Sequence, residues 1–269
     1  MKIRWWFVGV ISLFSVTACV GSSSAEINLE TAVLVALFDD QSNPGFDSSP
    51  AQNHAEEIKQ VKWVGRRHRG VRTGFMIFDG AGYVDFGADA SLGGLGNFTI
   101  TALIKFDNFG GVEPFQVIAA KGRENAEWQF LVSDAGKLAS NLGFRNIGQG
   151  RLEGKQKLDT GVWHHVAYTY DGEKRRLYLD GEIDTEGKTE KGRVRADADH
   201  VLVGSFVLWQ LQWWLEASLE EIAIFNVALN AADMKAISER GLADVLGFLS
   251  VTPQDRLAST WAKIKTDHR

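Results

Sequence analysis

The sequence predicts an all-β protein folded as a sandwich or barrel, and three observations carry that expectation. From about Asn28 onward, short apolar runs are broken at close intervals by Gly, Asp and Asn. Asp-Gly pairs stand between or beside strand-like runs at Asp79-Gly80, Asp171-Gly172 and Asp180-Gly181. Glycine accepts the positive φ that tight hairpins require, so these pairs read as turns. Helical periodicity emerges only near residue 230.

Composition narrows the possibilities further. With 269 residues, 45% of them apolar, the chain can bury a sizeable core and is not wholly disordered. A single Cys excludes an internal disulfide framework and any cysteine-based zinc site. The formal charge is −5, and it would become −7 if a leader carrying Lys2 and Arg4 were removed. Non-specific nucleic-acid binding depends on cationic contacts to phosphate, so that class of function is excluded.

The start of the chain reads as an export signal. Lys2 and Arg4 precede an apolar run from Trp5 to Val16, too short to span a bilayer but suited to secretion. No later stretch is apolar enough for a membrane helix. Two exits are open. Val16-Thr17-Ala18-Cys19 resembles a bacterial lipobox, which would make Cys19 a lipidation site at the head of the mature chain. Ser23-Ser24-Ala25 instead offers a cleavage site for ordinary signal peptidase. The expected organisation is a signal peptide over 1–18, a tether over 19–27, a β domain over 28–240 and a helical extension over 241–269. Either exit places the protein outside the cytoplasm, secreted or held at the envelope as a lipoprotein.

Within the domain, Leu34 to Phe38 reads as a buried strand, followed by a polar loop from Gln41 to His54 with a turn at Pro44-Gly45. Phe75 to Phe78 and Tyr83 to Phe86 read as two strands around Asp79-Gly80. Phe98 to Phe106 and Trp128 to Val132 follow, the latter breaking at Asp134-Ala135-Gly136. Trp163 to Tyr170, Leu177 to Leu179, Val201 to Val203 and Leu219 to Phe225 complete a dozen or so strands. Asn230 is placed to cap a helix with Asp233 in its first turn, and Arg240-Gly241 supplies a stop. A second short helix is expected from Pro253 with Thr252 as cap, its Leu257, Trp261 and Ile264 forming one apolar stripe.

Four blocks resemble, in order, the laminin-G-like, pentraxin-related group of the concanavalin A-like lectin/glucanase superfamily. They are Phe78-Asp79-Gly80-Ala81-Gly82-Tyr83-Val84, Asn97 to Ile104, Trp163-His164-His165-Val166-Ala167-Tyr168-Thr169-Tyr170-Asp171-Gly172 with Leu177-Tyr178-Leu179-Asp180-Gly181, and Leu219 to Leu229. The resemblance implies a two-sheet antiparallel jelly-roll sandwich used as an extracellular binding or adhesion module. The chain departs from the group at Leu103, where Trp is usual, which reads as a core exchange. It departs also at Ala217, where Gly is usual, and at Leu219-Glu220-Glu221, where an Ile-Asp-Glu run is usual.

Several residues are candidates for chemistry. Calcium needs six to eight oxygens, and Asp39, Asp47 and Glu220 are the residues that would hold a structural ion, with Asp40 nearby. The same acids also read as an ordinary solvated, turn-forming loop. Glu182-Ile183-Asp184-Thr185-Glu186 resembles the carboxylate strand of laminarinase-type glucanases, and positions i, i+2 and i+4 of a strand share a face. Its polar setting beside the Asp180-Gly181 turn argues for a solvated strand instead. His164 and His165 are adjacent on a strand and point to opposite faces, so they cannot share one ion. Trp209, Trp213 and Trp214 form an aromatic cluster suited either to stacking on a ligand or to packing. Arg66-Arg67-His68-Arg69 is a basic run that reads as a solvated loop or a contact for an anionic glycan or surface. The expected function is a non-catalytic module binding a glycan or an extracellular or envelope protein. The alternatives are a glycoside hydrolase using Glu182, Asp184 and Glu186, and a structural envelope lipoprotein without a ligand.

Overall fold

The computed structural model describes residues 27–68, 71–110, 113–122, 127–144, 147–189, 198–207 and 211–248. Cys19, Trp209 and the helix expected from Pro253 lie outside the described residues. The strands are β1 (Ala32–Ala36), β2 (Glu57–His68), β3 (Val71–Asp85), β4 (Phe98–Phe106), β5 (Phe115–Lys121), β6 (Trp128–Ser133), β7 (Lys137–Phe144) and β8 (Ile147–Lys157). They continue with β9 (Trp163–Tyr170), β10 (Lys174–Leu179), β11 (Glu182–Lys188), β12 (Val201–Val203), β13 (Phe206–Val207), β14 (Leu211–Gln212) and β15 (Glu216–Phe225). Two helices follow, α1 (Ala231–Arg240) and α2 (Leu242–Val245).

Hydrogen bonding runs in the order β11-β10-β9-β4-β15-β3-β12-β5-β6-β7-β8, with β1 added to β15 and β2 to β3. All these pairings are antiparallel. The sheet rolls over on itself into two layers. Rings from β4 and β9 meet rings from β6, with Phe98 6.2 Å from Trp128 and Phe130 6.1 Å from Tyr168. The principal core lies between the layers and includes Leu34, Phe78, Phe86, Ile104, Val132 and Leu219. Its content follows from strand alternation: Phe98, Ile100, Ala102, Ile104 and Phe106 of β4 all face inward. This is the expected jelly-roll sandwich.

Two smaller clusters cover outer faces. Helix α1 lays Met234 and Ile237 on Ala167, Tyr178, Ala223 and Phe225, the outward residues of β9, β10 and β15. Burial of each such large side chain stabilises by ~1.5–3 kcal/mol. The helix begins as its sequence predicts: the Asn230 side chain accepts from the Asp233 N–H and Asp233 accepts from the Asn230 N–H. On the opposite layer, the small β13–β14 hairpin sets Phe206 over Phe115, Val117 and Leu131.

Some elements differ from expectation. Phe75 to Phe78 and Tyr83 to Asp85 belong to one strand, β3, rather than two, and Phe86 follows its end. Asp79-Gly80 lies in a bulge there: residues 79–82 stand out of the β2 pairing opposite Gln60 alone, where the register slips between Lys59 and Val61, with Gly80 at φ 85° and Gln60 at φ 52°. That partner, β2, is polar and half-exposed, so it carries no apolar run to announce it. Leu103 is not a core exchange. It lies half-buried on the outer face of β4. The Asp180-Gly181 turn forms as expected, both residues taking positive φ, 50° and 85°.

Candidate functional site

The outer face of the β2-β3-β15-β4-β9 layer that α1 leaves open carries a cluster of aromatic rings and cations. The register pairs Lys105 with Trp163 and Val64 with Phe75. Phe75 and Trp163 meet edge to face, 5.6 Å apart at 80°. The Arg66 guanidinium lies 5.2 Å from the Trp163 ring and 5.9 Å from Phe75, and the Lys105 ammonium lies 5.7 Å from Trp163. Such cation–π geometry holds rings and charges together at a partly solvated surface. Glu220 completes the cluster through an ion pair with Arg66. A register slip between Leu219 and Glu221 puts Glu220 in a bulge of β15. All five side chains are half-buried, so the face is ordered yet accessible. The basic run and Trp163 are visible in the sequence, but their meeting depends on the long β2–β3 hairpin that the sequence does not announce.

The calcium candidates do not come together. Asp47 is buried, and its carboxylate accepts the backbone N–H groups of Val35, Ser49 and Asn53 and the Ser49 hydroxyl, at 2.7–2.8 Å. Those bonds fix β1 to the loop before β2 and occupy the oxygens. Glu220 is engaged by Arg66. Asp39 lies in a surface recess of about 460 Å³ lined also by Asp40, Gln41 and Ser42, where burial raises its carboxyl above the usual carboxylate range. Among the described residues, none of these three belongs to a group of ligand atoms within 4.8 Å of one another.

The three carboxylates of β11 are likewise dispersed. The register with β10 slips so that Asp184 is the extra residue, which breaks the shared face that i, i+2, i+4 spacing implies. Asp184 is buried and accepts the N–H groups of Lys155 and Gln156 on β8 at 3.0 and 2.9 Å. Gly154 makes this possible, because a Cβ there would stand 2.1 Å from the Asp184 oxygen. Glu186 is held by Lys174 and Arg176, each at 2.7 Å, and these cations lower its carboxyl below the usual range. Glu182 points into solvent, with Lys235 3.8 Å away.

The histidines serve the β9–β10 hairpin. His164 Nδ1 donates to Asp180 at 2.8 Å while its Nε2 accepts from the Asp159 N–H. His165 faces the other way and meets the Thr101 hydroxyl at 2.7 Å. Burial pushes its imidazole down to about 4, so it is neutral at pH 7. Of the tryptophans, Trp213 packs against Phe206 at 5.5 Å and Phe115 at 5.4 Å, anchoring the β13–β14 hairpin. Trp214 is half-exposed beside it.

Two stacked antiparallel layers with hairpins at the rim define a lectin-like β sandwich. Residues 78–235 match the Laminin_G_3 model of the concanavalin A-like lectin/glucanases superfamily, and the chain belongs to that family. No curated protein matches the sequence significantly. Among solved structures, it is similar to the binding domain of Paraclostridial Mosquitocidal Protein 1 at 15% identity and a TM-score of 0.63, over 78% of this chain and 52% of that one. It is similar also to the binding domain of Botulinum neurotoxin DC, solved in complex with rat synaptotagmin II, at 14% identity and 0.55, over 78% and 52%. A third is domain 4 of AbnA, a GH43 extracellular arabinanase from Geobacillus stearothermophilus, in complex with arabinotriose, at 14% and 0.54, over 77% and 98%. The chain spans about half the length of the two toxin binding domains. At these identities the likeness is one of fold.

Proposed function

We propose that this chain is an exported, non-catalytic binding module that recognises a glycan, or else an extracellular or envelope protein, through its outer surface. The observation that carries the reading is the fate of the carboxylates. A retaining or inverting glycosidase needs two carboxyl groups facing one substrate bond, and here Glu182, Asp184 and Glu186 go to solvent, to β8 and to two cations. The surfaces left for recognition are the face of Trp163, Phe75, Arg66 and Lys105, and the half-exposed Trp214. Indole rings stack on the apolar faces of sugars, and tryptophan and arginine dominate protein contact sites. The similar folds solved in complex with arabinotriose and with synaptotagmin II support both partner classes. Export rests on the basic and apolar start of the chain, and anchoring on Cys19.

A glycan array probed with the chain from residue 26, followed by calorimetry on any hit, tests the reading. Binding that is lost in Trp163→Ala or Trp214→Ala, with no hydrolysis of the bound glycan, is the expected result. Release of reducing sugar that depends on Glu186 or Asp184 would overturn it. So would a silent array together with no captured envelope protein.

A further inference from the structure

We propose that Glu56, Asp85 and His200 form a surface site for a divalent transition-metal cation of the zinc type. The three donors arrive from three segments: the residue before β2, the last residue of β3 and the residue before β12. One ligand atom from each lies within 4.8 Å of the other two. The imidazole Nδ1 of His200 sits 2.8 and 2.9 Å from the two Asp85 oxygens.

The backbone holds these donors in place. The Glu56 N–H donates to the Asp85 carbonyl at 2.8 Å, the Phe86 N–H to Val201 at 3.0 Å and the Val201 N–H to Gly87 at 2.9 Å. Leu202 pairs with Asp85 in the adjoining ladder. A donor set carried on paired backbone is pre-organised, unlike acids on a loose loop. Gly87 makes the room. It sits at φ 74°, and a Cβ there would stand 2.3 Å from the Glu56 carboxylate, so that carboxylate occupies the space a side chain would fill.

The chemistry selects the ion. Two carboxylates drawn this close repel unless a cation joins them. Among the described residues, Asp85 has neither Lys nor Arg within ion-pair distance, only the His200 imidazole, and Glu56 has no ion-pair partner. Calcium and magnesium prefer sets made only of oxygen, whereas an imidazole beside two carboxylates suits zinc and its neighbours. Three protein donors leave a tetrahedral zinc one position for water or for an oxygen atom from outside. Glu56 and His200 are both exposed, so that position faces solvent.

Calorimetry with zinc chloride on the metal-stripped, untagged chain tests the site, in a buffer that does not chelate. The expected result is one zinc per chain, with visible absorption bands when cobalt(II) replaces it. His200→Ala and Glu56→Gln should each weaken zinc at least ~10-fold, since even outer partners of metal ligands cost that much. Both side chains are exposed, so both variants should melt with the parent. Asp85 is left intact because it also accepts the Gly87 N–H. No zinc heat, or an isotherm that neither variant changes, overturns the proposal. Glycan or protein binding does not enter the readout, so the test stands apart from the function proposed above.

Discussion

The carboxylate of Asp184 on β11 accepts the backbone N–H of Lys155 on β8 at 3.0 Å, and this bond joins the two ends of the rolled sheet. The residue that a catalytic reading would make central is therefore a clasp. Asp184→Ala should cost about 2–3 kcal/mol in urea unfolding, because it removes a buried carboxylate and strands the partly buried N–H groups it holds. Glu182→Ala, at a solvent-facing position, should cost under about 0.5 kcal/mol. Equal effects of the two would contradict the clasp.

Asp47 makes a second such tie. Its four acceptor bonds hold β1 against the following loop. Asp47→Ala should lower stability by about 3 kcal/mol or more. If these bonds are what Asp47 does, the loss should be the same in chelator and in millimolar calcium, which paired melts would show.

Glu221 lies on the outer face of β15 and accepts the Leu242 N–H at 3.0 Å, beneath the start of α2. Desolvation pushes its carboxyl up to about 7. The folded state therefore holds this proton more tightly than the unfolded chain, whose carboxyl titrates near 4.5. The sign follows from proton linkage: this group's contribution to stability declines as pH rises from about 4.5 to about 7, then levels. Glu221→Gln keeps an acceptor for Leu242 and carries no charge. It should gain roughly 3 kcal/mol over the parent at pH 8 and nothing near pH 4. A melting difference independent of pH would exclude this account.

The two tryptophans beside the small hairpin should separate in their effects. Trp213 packs on two phenylalanines, so Trp213→Ala should cost about 3 kcal/mol or more. Trp214→Ala should leave the melting temperature nearly unchanged and register in ligand binding instead. Denaturation and calorimetry on the same two variants decide between these roles.

The sequence made the layers legible where alternation and turn chemistry agree. The run from Phe98 to Phe106, the Asp180-Gly181 turn and the Asn230 cap all form where local physics places them. What stayed hidden depended on distant parts of the chain. β2 has no apolar run because half of it faces solvent, and Asp79-Gly80 lies in a bulge against that unannounced strand instead of a hairpin turn. The site suffered most from this. Strand spacing put Glu182, Asp184 and Glu186 on one face, and a single extra residue on β11 undid it. Arg66 and Trp163 are nearly a hundred residues apart and meet only through the fold.

Strand β2 has β3 on one side only, and along it stand Lys59, Lys62 and the left-handed Gln60. A second copy seeking to extend the ladder there would have to desolvate ammonium groups and match a kinked backbone. That edge of the sheet is thereby closed to strand addition, through charge and backbone shape rather than through a covering element.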